Sequence, residues 1–200
     1  MHDLLDSSFH WNDVLERYVA MFIQTEATPN PNAIKFMPDM VVMDKGTAMY
    51  SSADEAKGKS PLAQELLEMD EVESVFFGLD FITVTKKDTA SWDVVKPLAL
   101  TMMMEHLLQG QAVADDTPDE AQESDPVVQQ IKELIETRVR PAVAQDGGDI
   151  IFHSFREGVV KLTLRGACSS CPSSTMTLKN GVENMLKYYV PEVTAVEAVA

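Results

Sequence analysis

Positive charge is in short supply in this chain: 16 lysines and arginines face 32 aspartates and glutamates, for a formal charge of -16 and an isoelectric point near 4.5. Such a surface repels phosphate backbones and anionic headgroups, which argues against nucleic acid and membrane as partners. Also missing is any apolar run approaching the roughly 18 to 20 residues that cross a bilayer, so a soluble protein is expected. Enzyme signatures are absent as well. There is no GxSxG, no glycine-rich phosphate loop and no nucleophile-base pair readable from the sequence, and no catalytic residue is assigned. The four histidines, His2, His10, His106 and His153, are scattered without HxxxH or cysteine-histidine spacing, and read as ordinary surface or partly buried residues. Cysteine is scarcest of all, with two in 200 residues. Two thiols spaced as a site rather than as a disulfide framework fit a reducing compartment. The first twenty residues carry Asp3, Asp6, Asp13 and Glu16 against a single Arg17, unlike a secretory signal or an Arg-rich presequence, so a cytoplasmic protein is expected.

What is there begins with those two cysteines. Gly166-Ala167-Cys168-Ser169-Ser170-Cys171-Pro172-Ser173-Ser174 places both in one CxxC, and a two-residue gap lets both sulfurs point to one side of a tight loop. They can then hold one metal or cluster, or close a small disulfide. Two sulfurs do not complete the four-thiolate set of an iron-sulfur cluster or a closed zinc site, so a second chain or another small thiol must supply the rest. A strand ending at Arg165 and a helix starting near Pro172 would put both thiols beside a helix N-terminus, where unpaired amides and the helix dipole favour thiolate. Small Gly166 and Ala167 and the short serines leave room for backbone N-H groups to approach cluster sulfides. Arg165 and Lys179 flank the loop, and serve equally as anion stabilisers or as solvated faces of a strand and a helix.

A CxxC also serves thiol-disulfide oxidoreductases and zinc-bridged dimers. Thioredoxin-like frames are longer than the segment from 126 to 200, and they carry an aromatic residue where this chain has Ala167. The Asp146-Gly147-Gly148-Asp149 segment reads first as glycine termination of a helix, which keeps its aspartates off the ligand list.

The chain divides at Gln111 to Asp125, which holds six acidic residues, one proline and no basic residue. It buries too little surface to offset its ordering entropy and reads as a flexible, self-repelling linker. The fold class expected is α+β, as two small α/β-layer domains joined by this linker. Boundaries fall at 1-20 for an N-terminal extension, 21-110 for the first domain, 111-125 for the linker and 126-200 for the second. The first domain reads as strands over 22-26 and 33-37 around a stiff, exposed Thr28-Pro29-Asn30-Pro31-Asn32 loop. A helix over 62-69 capped by Ser60, a hairpin of 72-77 and 81-86, and a helix over 92-108 capped by Ser91 complete it. Pro97 must lie in that helix's first turns or kink it. The methionines of the last helix fall at core spacing.

The second domain reads as helix, two strands, thiol loop, helix, strand. Val128, Ile131, Leu134, Ile135, Val139 and Val143 line one face of the first helix, which Pro141 should kink or restart. A hairpin of 150-155 and 159-165, a helix carrying Leu178, Val182, Met185, Leu186 and Tyr189, and a strand over 193-199 follow. In the extension, Phe9, Trp11, Val14, Leu15, Tyr18 and Val19 lie at partly helical spacing. No internal repeat is visible.

Two long stretches, Ile131 to Asp149 (IKELIETRVRPAVAQDGGD) and Leu164 to Glu183 (LRGACSSCPSSTMTLKNGVE), closely resemble the C-terminal domain of NifU-like (Nfu) iron-sulfur proteins. Phe22 to Phe36 (FIQTEATPNPNAIKF) resembles the Nfu N-terminal domain, and together the likeness covers nearly everything after Ala20. It implies a cluster carrier or late scaffold in which Cys168 and Cys171 are the ligand pair. Two protomers would share a [4Fe-4S] cluster as a homodimer, receive it from upstream assembly factors and pass it to apo iron-sulfur proteins. The chain departs from the family at Met1 to Ala20. With its first residues read as no presequence, the chain is expected to belong to the bacterial branch, in the cytoplasm.

Overall fold

The computed structural model describes residues 22-109, 113, 125-169 and 172-199, with backbone alone over 172-178. The N-terminal extension lies outside these residues, as do Ser170, Cys171 and all of the acidic segment except Val113 and Asp125. The mixed α+β class in two regions holds.

The first region is a five-stranded antiparallel sheet in the order β1-β2-β5-β4-β3, built from β1 Gln24–Ala27, β2 Ala33–Met37, β3 Ala48–Tyr50, β4 Val72–Phe77 and β5 Ile82–Lys86. Register decides which residues share a face: Val75 pairs with Val84, Phe77 with Ile82, and Phe36 with Ile82. Those apolar residues pack under helices α1 Ala53–Ala56, α2 Pro61–Leu67 and α3 Trp92–Leu108, whose Leu62, Leu66, Val95, Ala99 and Met103 are fully buried. Ser60 and Ser91 cap their helices as the sequence predicts, accepting from the N-H of Ala63 and Asp93. Helix α3 runs through Pro97 in its second turn.

Two short elements, β3 and α1, escape the sequence reading. Each is three or four residues in a polar stretch, too short for either periodicity to register. Within the expected linker, Val113 is 5% exposed, packs on this core and accepts a hydrogen bond from the Ser60 hydroxyl, so at that point the chain is held rather than loose.

Helix α4, Pro126–Leu134, opens the second region with Asp125 as its N-cap. A π-helical turn, Ile135–Val139, and helix α5, Arg140–Gln145, continue it. The predicted break at Pro141 takes this form for a physical reason. Proline offers no N-H and its ring crowds the carbonyl four residues back, and the wide turn, closed by Arg140 N-H on the Ile135 carbonyl, makes room. Strands β6 Gly148–Arg156 and β7 Val159–Gly166 form the expected hairpin. Helix α6, Pro172–Tyr189, then returns the chain to place β8 Ala195–Ala198 parallel beside β7. Ile131, Ile135, Val139, Val143, Ile150, Leu162, Val182, Leu186 and Val196 make a second, separate core.

The two regions pack together. On the sheet face away from the helices, Phe76 and Thr83 pair across strands and are at most 1% exposed. The turn between α5 and β6 sits on them: Thr83 Oγ1 donates to the Gly147 carbonyl at 2.7 Å.

Glu183 ties α6 to the sheet, accepting from Lys187 Nζ at 2.5 Å and from the Val196 N-H at 3.0 Å. The Lys187 hydrogen bond, then the Val196 amide, hold its carboxyl below the usual glutamate range. A lowered folded-state value favours the charged form, so the stabilisation is present above the ordinary glutamate range and disappears as pH falls through the lowered one. Glu183→Gln should therefore flatten the acid side of a plot of unfolding midpoint against pH, measured by circular dichroism.

Candidate functional site

The cysteine loop grows out of the end of β7. Gly166 adopts φ +65°, a conformation that side chains resist, and turns the chain out of the strand. Ser169 closes the turn with its N-H at 3.1 Å and its hydroxyl at 2.8 Å from the Gly166 carbonyl. Cys168 lies inside this turn, and helix α6 begins at Pro172, directly after Cys171. The strand-loop-helix order is as predicted. Cys171 itself lies outside the described residues.

Opposite the loop, Gly147 at φ +77° ends helix α5, as the sequence reading holds, and Gly148 opens β6 in register with Gly166. Helix termination is only part of what these glycines do. A Cβ on Gly148 would stand 2.9 Å from Cys168 Sγ and 2.6 Å from the Arg165 carbonyl, so the sulfur rests against bare backbone. A Cβ on Gly166 would stand 2.5 Å from the Gly147 carbonyl. That carbonyl accepts twice, from Ala167 N-H at 3.1 Å and from Thr83 Oγ1.

The first region covers the loop from the other side. Asn30, in the loop read as exposed, is 4% exposed, and its Nδ2 donates to the Ala167 carbonyl at 3.1 Å. The flanking Pro29 and Pro31 are exposed as expected. The loop is braced elsewhere: Trp92 Nε1 donates to the Pro31 carbonyl at 3.0 Å and Lys86 Nζ to Asn32 Oδ1 at 2.8 Å. Phe76 lies against Gly166. Ala167 is 2% exposed beneath Asn30, and Cys168, a member of the second region's apolar cluster, is 3% exposed, which corrects the expectation of a cysteine in an exposed serine-rich turn; Ser169 is exposed.

Asp149 is the residue that sequence reasoning undervalued. Its carboxylate is buried, with Arg140 Nε at 2.8 Å and Nη2 at 3.3 Å, the Ile150 N-H at 2.7 Å, and Thr47 Oγ1 of the first region at 2.8 Å. Arg140 also reaches Glu136. The pair bridges a helix and a strand nine residues apart, a spacing no periodicity marks. Arg165 and Lys179, the flanking bases, are half-buried. His106 is buried in the first region, and His153 bonds Thr163, while His2 and His10 lie outside the described residues. Among the described residues, no group of three or more His, Cys, Asp and Glu gathers as a metal site.

Residues 131-197 match the model of the NifU-like domain, and residues 23-110 match that of the scaffold protein Nfu/NifU N-terminal domain. The chain belongs to the NifU-like (Nfu) family. The NFU1 iron-sulfur cluster scaffold homologue, mitochondrial, of Drosophila persimilis is 46% identical over 185 residues, covering 90% of this chain and 66% of that protein. Its Drosophila willistoni counterpart is 47% identical over 184 residues, covering 90% and 64%. The chain thus spans just under two thirds of the length of these curated relatives. The solution structure of a NifU-like protein from Saccharomyces cerevisiae is 27% identical, covers 58% of this chain and 95% of its own, and gives a TM-score of 0.45.

These Nfu relatives correct the compartment. The acid-rich first twenty residues pointed to a bacterial cytoplasmic protein, yet the relatives bear mitochondrial names. They extend well beyond the stretch they share with this chain, so the charge of its first residues does not report where the protein resides.

Two substitutions separate the roles of backbone and charge. Gly148→Ala should cost about 1 to 3 kcal/mol in a denaturant titration, because the methyl meets a strand carbonyl that cannot move aside. Asp149→Ala leaves Arg140 facing the seam without its carboxylate and should cost about 3 kcal/mol in the same titration.

Proposed function

We propose that this Nfu-family chain is an iron-sulfur cluster carrier, in which Cys168 and Cys171 of two protomers hold one [4Fe-4S] cluster and surrender it to apo iron-sulfur proteins. The observation that carries this reading is the setting of Cys168, at a strand-to-helix turn with its sulfur close to the Gly148 backbone. A thiolate there can be reached by amide donors, and the helix N-terminus favours its charge. The names of the scaffold relatives support the same cargo.

Two thiolates per chain give four per pair, the number a cubane cluster takes. A cargo held across a symmetric contact is bound by few groups, so incoming thiolates of a recipient can replace them one at a time as the pair opens. Such a protein binds and releases without turning over a substrate, and we assign it no catalytic residue. We take 126-200 as the cluster-binding domain and 21-110 as a domain that engages recipients or upstream assembly factors, with 111-125 between them.

Anaerobic reconstitution with iron and sulfide, followed by size-exclusion chromatography with both elements assayed across the peak, tests the proposal. A brown dimer with about four irons and four sulfides is expected, and Cys168→Ser or Cys171→Ser should abolish both colour and dimer. A colourless zinc-loaded dimer, or a monomer that refuses iron, would reject it.

A further inference from the structure

The far end of helix α6 carries an exposed aromatic cluster that the packing of the fold does not account for. Tyr188 is 79% exposed, the most exposed large apolar side chain among the described residues, and Tyr189 beside it is 38% exposed. Their rings meet edge to face, with centroids 4.9 Å apart and planes at 86°. The Arg138 guanidinium lies over the Tyr189 ring, 4.7 Å from its centroid, and Nη1 donates to the Tyr189 hydroxyl at 3.1 Å. Gln130 Nε2 donates to the Tyr189 carbonyl at 3.3 Å, so helix α4 and the π turn after it both brace Tyr189.

A helix C-terminus favours a nearby cation, which accounts for an arginine here. It does not account for two tyrosine rings held against each other in water. Rings already fixed in place offer contact area at little entropic cost, and tyrosine with arginine is the composition of binding hot spots. The guanidinium is the part left open. Arg140, two residues on, spends its donors on Asp149 and Glu136. No carboxylate pairs with Arg138, and its Nε and Nη2 meet no acceptor among the described residues, in a chain with 32 acidic side chains. A guanidinium stacked on a ring keeps its in-plane N-H edge for a bidentate carboxylate. A phosphate backbone would meet this one cation against a formal charge of -16 over the whole chain, which disfavours nucleic acid.

We propose that Tyr188, Tyr189 and Arg138 form a docking site for an acidic segment of a partner protein. A carboxylate of that segment meets the Arg138 guanidinium, and a neighbouring apolar or aromatic side chain packs on Tyr188. Helix α6 has 18 residues, about 27 Å, so the site lies at the opposite end of the helix from the cysteine loop. A partner held there does not stand on that loop. That the partner gives or receives a cluster rests on the carrier reading; the docking site itself does not.

The test uses the metal-free, isotope-labelled full chain and the peptide acetyl-Glu-Phe-Asp-Leu-Glu-amide, with acetyl-Gln-Phe-Asn-Leu-Gln-amide as its uncharged counterpart. The acidic peptide should shift the NMR signals of Tyr188, Tyr189 and the Arg138 Nε-H, and the uncharged one should bind about tenfold more weakly. Arg138→Gln and Tyr188→Ala should each weaken binding by about tenfold. Arg138→Lys, which keeps the charge without the fork, should recover only part of what Arg138→Gln loses. The altered side chains are exposed, so the unfolding midpoint should stay close to that of the unaltered chain. No shift at these residues, or equal binding of the two peptides, would overturn the docking site while leaving the carrier reading untouched. Matching shifts from a short oligothymidylate would overturn it in favour of nucleic acid, and shifts on raising protein concentration alone would do so in favour of a second copy. Acidic-peptide binding in a chain that refuses iron and sulfide would keep the site and remove the carrier reading instead.

Discussion

Backbone lies directly on backbone where the Gly147-Gly148 turn meets the end of β7, and the arrangement of the site depends on that approach. Three glycines make it possible, two of them at positive φ and each at a distance from its neighbours that a Cβ would violate. Within that contact the Gly147 carbonyl gathers the Ala167 amide from its own domain and the Thr83 hydroxyl from the other. One carbonyl thus fixes both the path of the cysteine loop and the seat of the domain above it. Behind it, the Arg140-Asp149 pair locks the helix end to the strand start, and Thr47 extends the lock across the seam. Each acceptor in this set is bonded more than once, so the Gly147 carbonyl and the Asp149 carboxylate draw backbone and side chains of both regions onto the same two points.

Much of this was legible beforehand, and the reason differs from element to element. Ser60, Ser91 and Pro61 marked helix starts because a cap is a local hydrogen bond between residues two or three apart. The hairpins were legible because alternation and a turn residue suffice to specify them. The strand-loop-helix setting of the CxxC was legible because an alternating strand runs up to it and a proline opens the helix beyond it. Asp149 was not, since its partners are nine residues and about a hundred residues away and share no period with it. For the same reason β5 read simply as a buried strand. Its alternation puts Ile82 and Val84 on one face and Thr83 and Thr85 on the other, and nothing in a threonine reveals that another domain will cover it. A segment read as a flexible linker and a loop read as stiff but exposed give the instructive misses. Val113 and Asn30 lie in stretches rich in prolines or acids, yet each is buried, because a single apolar or amide side chain can be claimed by a surface the local sequence does not encode.

The division of labour between the two cores also bears on folding. Each closes on its own set of apolar residues, and the seam between them adds hydrogen bonds and the buried Phe76 ring. The first region has its sheet ordered so that β2 and β5, far apart in sequence, lie side by side, whereas the second is dominated by the local β6-β7 hairpin. Local pairing closes small loops and is entropically inexpensive, which favours the β1-β2, β4-β5 and β6-β7 hairpins over the longer closures that pair β2 with β5 and β7 with β8.

The π turn at Ile135–Val139 acts as a phase corrector. Val128, Ile131, Ile135, Val139 and Val143 all face the core, although the last four are spaced by four residues each time, a spacing that in an ideal helix drifts about 40° per step. Widening one turn absorbs the drift and brings Val143 inward, with Arg140 delivered to Asp149 on the same rotation. In a straight helix the apolar stripe would spiral off the sheet before reaching the glycines. The irregularity in the helix therefore sets the angle at which the chain arrives at Gly147, and through it the orientation of the cysteine loop.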